Sequence, residues 1–242
     1  MEIISVEGIV VGNTDYKENS KIINIFTKEK GIIGCVSKGC KKLKSKLRLP
    51  SEKFAYGVFH LYYKENGLST LIEGDILDYF INIRSDVLKI GYLNCICDLS
   101  TNVYKESESP EIYDLMISSI LKIEKGFDPR IITNILELKY LNYLGIDLNL
   151  NECVNCGSSK IATLSLSKGG YICSKCITNE PLIDEKVLKL FRMYYYVDIS
   201  KISSLDIDRT VSSKINHIID EYYELYSGVV IKSKKFLREI EE

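Results

Sequence analysis

Four cysteines spaced C-x2-C-x16-C-x2-C, at Cys153, Cys156, Cys173 and Cys176, constrain this chain more than any other feature. Each C-x2-C pair on a tight turn aims two thiolates at one point. The sixteen residues between the pairs allow a short hairpin that carries the second pair back to the first, closing a tetrahedral shell of four sulfurs around Zn²⁺. Turn residues stand where such a hairpin needs them: Gly157-Ser158-Ser159 follows the first pair and Lys168-Gly169-Gly170 precedes the second. Two redox-active or disulfide-forming pairs are the competing reading. Redox motifs of this spacing open a helix in a βαβ unit, whereas the flanks here read as turns and short strands. A closed four-sulfur shell has no position for water or substrate, so the expected ion, one per chain, is structural and not catalytic.

At 242 residues the chain is long enough for two domains. Ile3–Gly12, Lys21–Thr27, Ile32–Ser37, Phe54–Tyr63 and Leu68–Phe80 are β-branched or aromatic runs divided by turn residues, and read as strands. Glu65-Asn66-Gly67 marks a hairpin, because Asn-Gly tolerates positive φ at both turn positions. Five strands in so short a length suggest a small barrel of the oligonucleotide-binding (OB) type.

From about residue 84 the apolar period changes from two to 3.6. Val87, Ile90, Leu93, Cys97 and Leu99 form a stripe over Ser85–Tyr104, and Ile112, Met116, Ile120 and Ile123 form another over Glu111–Lys125. Asp128-Pro129 supplies an N-cap and an N1 proline for a helix that Gly145 terminates. Asp184–Val197, Ser212–Tyr226 and Lys232–Glu241 read as three further helices. The expected fold class is therefore α+β. An N-terminal five-stranded OB-type β-barrel over residues 1–80 is followed by an α-helical domain over residues 81–242, with the four-cysteine zinc module inserted at about 151–177.

The formal net charge is −1, so any affinity for a polyanion must come from local clustering. Lys38, Lys41, Lys42, Lys44, Lys46 and Arg48 fall within eleven residues that contain no acid. Most such runs are solvated loops. This one lies between the third and fourth expected strands, close to where OB barrels carry nucleic-acid-binding loops. Tyr56, Phe59, Tyr62 and Tyr63 stand on the following strand, where bases could stack beside phosphate-binding cations. Alternation along a strand sends at least half of those rings into the core.

The residues make no case for an enzyme. His60 and His217 are far apart and neither has a nucleophile motif around it; His60, on an apolar strand, reads as a hydrogen-bonded structural residue. Gly34–Lys41 departs from a phosphate-binding P-loop in the place of its lysine and lacks the Ser/Thr that would hold Mg²⁺. Asp75 with Asp78, and Asp206 with Asp208, have no neighbours that complete an acid–base or metal site. Cys35, Cys40, Cys95 and Cys97 follow no ligand spacing and read as buried or half-buried thiols of a reducing compartment. No run of 18 apolar residues and no signal peptide is present, so a cytoplasmic protein without membrane contact is expected.

Taken in order, these motifs resemble a known family, the bacterial DNA repair and recombination mediator RecO. The resemblance rests on Glu7-Gly8-Ile9-Val10, Tyr16 and Glu18, Ile25-Phe26-Thr27 with Gly31, and Ser37-Lys38-Gly39 before a basic stretch with Ser45. It continues through Cys153-Val154-Asn155-Cys156-Gly157 to Lys232-Ser-Lys-Lys-Phe-Leu237, so it spans the chain. Cys40-Lys41 departs from the Ala-Arg more often found there; a cation survives, without the bidentate fork of arginine. The resemblance implies non-catalytic work: binding of single- and double-stranded DNA, annealing of complementary strands and, with RecR, help for RecA in replacing single-strand-binding protein (SSB). In some members the SSB tail is contacted directly, and RecF is a further partner. It also implies a nucleoid-associated place in the bacterial cytoplasm. Some relatives lack the cysteines, which makes zinc a stabiliser. A zinc-ribbon accessory factor of transcription or translation is the competing class. It is disfavoured because the knuckle region carries only Lys160, Lys168 and Lys175 as cations.

Overall fold

Burial alternates along the N-terminal strands, and the inward set makes one core. In a computed structural model describing residues 2–229 and 231–241, these strands are β1 (Glu2–Tyr16), β2 (Ser20–Thr27), β3 (Gly31–Ser37), β4 (Tyr56–Tyr63) and β5 (Ser69–Asp78). Met1 and Glu242, which end the two expected domains, lie outside the described residues. The order β1-β2-β3-β5-β4 closes into a barrel. Closure depends on the length of β1: Gly8–Tyr16 pairs with β2, while Glu2–Ile9 pairs with β4. β3 and β5 pair in parallel through Cys35–Ser69 and Val36–Thr70, and the other barrel pairs are antiparallel. Val6, Val10, Ile23, Ile25, Ile33, Cys35, Phe59, Leu61 and Leu71 fill the interior.

The chain forms two compact units, residues 1–117 and 118–242. The first also contains α1 (Ile81–Arg84), α2 (Val87–Ser107) and the start of α3 (Glu111–Glu124). Asp86 caps α2 by accepting the N–H groups of Leu88 and Lys89. The Tyr104 ring of α2 lies 4.9 Å from that of Phe26 on β2. The Glu7 carboxylate accepts the hydroxyls of Tyr56 at 2.8 Å and Tyr113 at 3.3 Å.

The second unit contains α4 (Pro129–Tyr143), the hairpin β6 (Ile161–Ser165) and β7 (Gly170–Cys173), α5 (Glu185–Tyr196), α6 (Arg209–Tyr222) and α7 (Lys232–Glu241). Asp128 caps α4 as its sequence demands. α4 is its central helix, buried on nearly every side from Ile131 to Leu141, and α5 and α6 pack against it. Lys234 on α7 bridges Glu137 of α4 and Asp220 of α6, with 12% of its side chain exposed. That buried pairing ties the last helix to the core.

Three details differ from expectation. Val87 is 67% exposed, because it is the first residue after the Asp86 cap and its stripe begins only with Ile90. The β4–β5 connection is the five-residue loop 64–68; there only Gly67 has positive φ, so it is no two-residue Asn-Gly turn. α6 starts earlier than Ser212, where Asp208 accepts the N–H groups of Thr210 and Val211, and gives way to a π-turn at Tyr223–Ser227.

Candidate functional site

The cysteine array folds into one cluster. Cys153 and Cys156 sit on a turn closed by the Gly157 N–H donating to the Cys153 carbonyl at 2.8 Å, with Gly157 itself at φ +71. Cys173 ends β7, and the Cys176 N–H donates back to the Cys173 carbonyl at 3.0 Å. The β6–β7 hairpin returns the second turn to the first, and Ile172, Val154, Ile161 and Ile177 pack around the thiols. All four Sγ atoms lie within 4.8 Å of one another, and those of Cys156 and Cys173 are 3.6 Å apart. Sulfurs held at about 2.3 Å from one ion in a tetrahedron lie roughly 3.8 Å apart, so the donor set fits a tetrahedral cation. All eight cysteines are free thiols. Burial pushes the Cys153 thiol up, yet backbone N–H groups around it pull it down to about 6. Hydrogen bonding with Cys156 and then Cys173 pushes Cys176 up to about 12. Four sulfurs that converge on one point form the donor set that a tetrahedral metal cation binds.

The basic segment runs from the end of β3 to a short 3-10 turn at Leu49–Ser51 that leads into β4. Inside it, Leu47 packs on the barrel core, and Pro50 occupies the space beside Gly74 of β5. With those two residues as anchors, Lys38, Lys41, Lys42, Lys44, Lys46 and Arg48 are all exposed. Lys41 pairs with Asp15 of β1 at 2.8 Å, and that ammonium holds the Asp15 carboxyl below its ordinary range. Among the described residues, Lys38, Lys42, Lys44, Lys46 and Arg48 form no ion pair. Of the four aromatics on β4, Phe59 and Tyr56 are buried, Tyr63 packs against the core and Tyr62 is 43% exposed.

The other residues singled out have structural tasks. His60 lies between Ser5 Oγ at 2.7 Å and Asp75 Oδ2 at 3.1 Å. His217 faces Glu221 at 3.5 Å on an exposed turn of α6. Asp78 accepts the N–H of Phe80, and Asp208 is the α6 cap. Gly34–Ser37 lies within β3, not on the strand-to-helix loop that a P-loop requires. Cys35, Cys40, Cys95 and Cys97 are buried; burial pushes Cys35 and Cys97 up to about 12. Near the knuckle, Lys168 is neutralised by Glu180 at 2.8 Å.

Sequence periodicity did not reveal a groove of about 1030 Å³ in the second unit. It is formed where Leu164, Pro181, Leu182, Ile218 and Leu225 meet beside Arg209 and Lys214. Its walls come from segments 60 residues apart, so no local pattern marks it. No helix among the described residues is long and apolar enough to cross a membrane.

Comparison with known proteins supports the same family from end to end. Residues 1–80 match the family described as Recombination protein O N terminal, and residues 84–235 match Recombination protein O C terminal. DNA repair protein RecO of Halalkalibacterium halodurans is 32% identical over 240 residues, covering 97% of this chain and 94% of that protein. The RecO proteins of Listeria monocytogenes and Bacillus velezensis are 33% and 34% identical, with 98% and 97% of this chain and 94% of each relative covered. With a five-stranded barrel, a helical unit and a four-cysteine cluster in the family's order, the chain belongs to the RecO family of DNA repair proteins.

Proposed function

We propose that this chain is a non-catalytic DNA-binding protein of recombinational repair, which binds single and double strands and anneals complementary ones. In this reading residues 1–80 form the nucleic-acid-binding domain and residues 81–242 the helical domain. The observation that carries it is the β3–β4 connection, where six exposed cations stand on a closed barrel and five of them have no ion-pair partner among the described residues. Free cations on a fixed loop neutralise phosphates without reading bases, and annealing requires just that: two polyanions brought together while pairing supplies the free energy. Association with RecR, and in turn with SSB, its tail and RecF, would fall to the helical unit, whose large apolar groove supports a role in protein contacts. Such work belongs in the bacterial cytoplasm, at the nucleoid.

Cys153, Cys156, Cys173 and Cys176 would hold one Zn²⁺, whose contribution is folding free energy. The four thiols do the positioning: two turns and one hairpin are pinned at a single point, and no ligand position is left for substrate.

The test is an annealing assay with complementary oligonucleotides in buffer free of ATP and Mg²⁺. Annealing should be accelerated and should slow steeply as salt is added. A strict ATP requirement, in protein free of contaminating ATPase, would contradict the reading.

A further inference from the structure

We propose that a cleft on the N-terminal unit receives an unstacked base of a single DNA strand whose phosphates lie along Lys38–Arg48. The proposal rests on the nucleic-acid reading above and adds a base site to it. The cleft has a volume of about 450 Å³ and is lined by Leu49, Ala55, Ile76, Tyr79, Ile81 and Arg84. Leu49 follows Arg48 directly, so one wall continues the basic segment. The lining is open to solvent: Leu49 is 57%, Tyr79 52% and Ile81 70% exposed. Large apolar side chains left exposed together mark a binding surface.

The exposed Tyr79 ring, the Arg84 guanidinium and continuity with the basic segment select the occupant. Of the two acids at the cleft, Glu52 is neutralised by Lys21 at 3.0 Å, and Asp78 keeps its charge and turns one oxygen to the Phe80 N–H at 2.8 Å. Arg84 donates Nε to the Tyr79 carbonyl at 2.8 Å and an Nη to the Lys53 carbonyl at 3.1 Å. Those carbonyls fix the guanidinium plane at the cleft without neutralising it. Arg84 therefore stands beside an aliphatic floor that carries one exposed ring, and Arg48 directly precedes the Leu49 wall in the chain. A nucleotide is the complement, with a flat apolar face and an attached anion. Bases in a duplex stay stacked and paired, so only a single strand can fill the site. An apolar protein side chain would use the lining and leave Arg84 unmet.

Tyr79→Ala in the full chain tests this, because the substituted ring is exposed and its carbonyl, which holds Arg84, is retained. With an unchanged thermal midpoint, this variant should bind an oligothymidylate roughly 5- to 100-fold more weakly. Its log–log salt slope and its duplex affinity should stay at wild-type values, and Tyr79→Phe should restore single-strand binding. An abasic deoxyribose-phosphate strand should bind wild type and Tyr79→Ala equally. Unchanged oligothymidylate affinity in Tyr79→Ala, beside a Lys42/Lys44/Lys46→Glu variant that is weakened, overturns the base site alone and leaves the cleft to a protein. Equal loss on single strand and duplex also overturns it. Unchanged affinity in the lysine variant overturns the phosphate reading on which the site rests.

Discussion

Gly31 leaves the space that the Tyr104 hydroxyl occupies. A Cβ on Gly31 would stand 2.2 Å from that oxygen, and Gly31 has φ +62. The β2–β3 turn and α2 are therefore fitted to each other, and the ring of Tyr104 continues onto Phe26. Thr27 closes the turn by donating Oγ1 to the Gly31 carbonyl at 2.7 Å.

Gly31→Ala adds both positive-φ strain and a clash, and should destabilise the N-terminal unit by about 2–4 kcal/mol. Denaturant unfolding of Gly31→Ala, Tyr104→Ala and the double variant gives the check. The double variant should lose less than the sum of the single losses, because the clash disappears with the ring. Strict additivity would mean that the two residues do not meet.

Asp208 supplies a pH-dependent contribution at the start of α6. Its carboxylate accepts the N–H groups of Thr210 and Val211, which hold its pKa below the ordinary carboxylate value. A depressed folded-state pKa gives stability that is complete above the unfolded value, near pH 4, and is lost as pH falls through the folded one. The difference in urea midpoint between wild type and Asp208→Ala should thus be clear at pH 7 and shrink toward about pH 2. A difference that is constant with pH would show that the charge of this cap contributes nothing.

Much of this architecture was legible because it is local. Two C-x2-C turns and a Gly-Gly hairpin encode the thiol cluster within one short segment, and period-two alternation encodes β1 to β5. Tyr56 shows where local reading fails. By alternation it shares the outward face of β4 with His60 and Tyr62, yet it is buried. Phe80 stacks on it at 5.8 Å, and Glu7 takes its hydroxyl, so residues far along the chain decide its exposure. Lys41 is a second case: its partner Asp15 lies on β1, and only the barrel register brings them together. Lys234 is a third case: it stands in the Lys232-Ser-Lys-Lys-Phe-Leu237 motif, and its partners, Glu137 on α4 and Asp220 on α6, lie on other helices.

Removing one sulfur should release the metal and loosen the second unit. Zinc binding at structural sites is worth on the order of 10–16 kcal/mol and is realised as folding free energy. Cys153→Ser or Cys176→Ser should drop zinc content well below one per chain and lower the thermal midpoint, while single-strand affinity falls much less. Elemental analysis of wild-type protein purified without chelators should find close to one zinc per chain. Well under one would count against the site.

DNA binding in the proposed function falls to the cations of the β3–β4 connection. Its most direct measurement is the salt dependence of single-strand affinity in wild type and in a Lys42/Lys44/Lys46→Glu variant. About five phosphate contacts give wild type a log–log slope of roughly −3 to −4. The variant should bind every sequence more weakly, with the slope flattened by roughly 2. A folded variant with wild-type affinity and slope would contradict the account and return Lys38–Arg48 to an ordinary solvated loop.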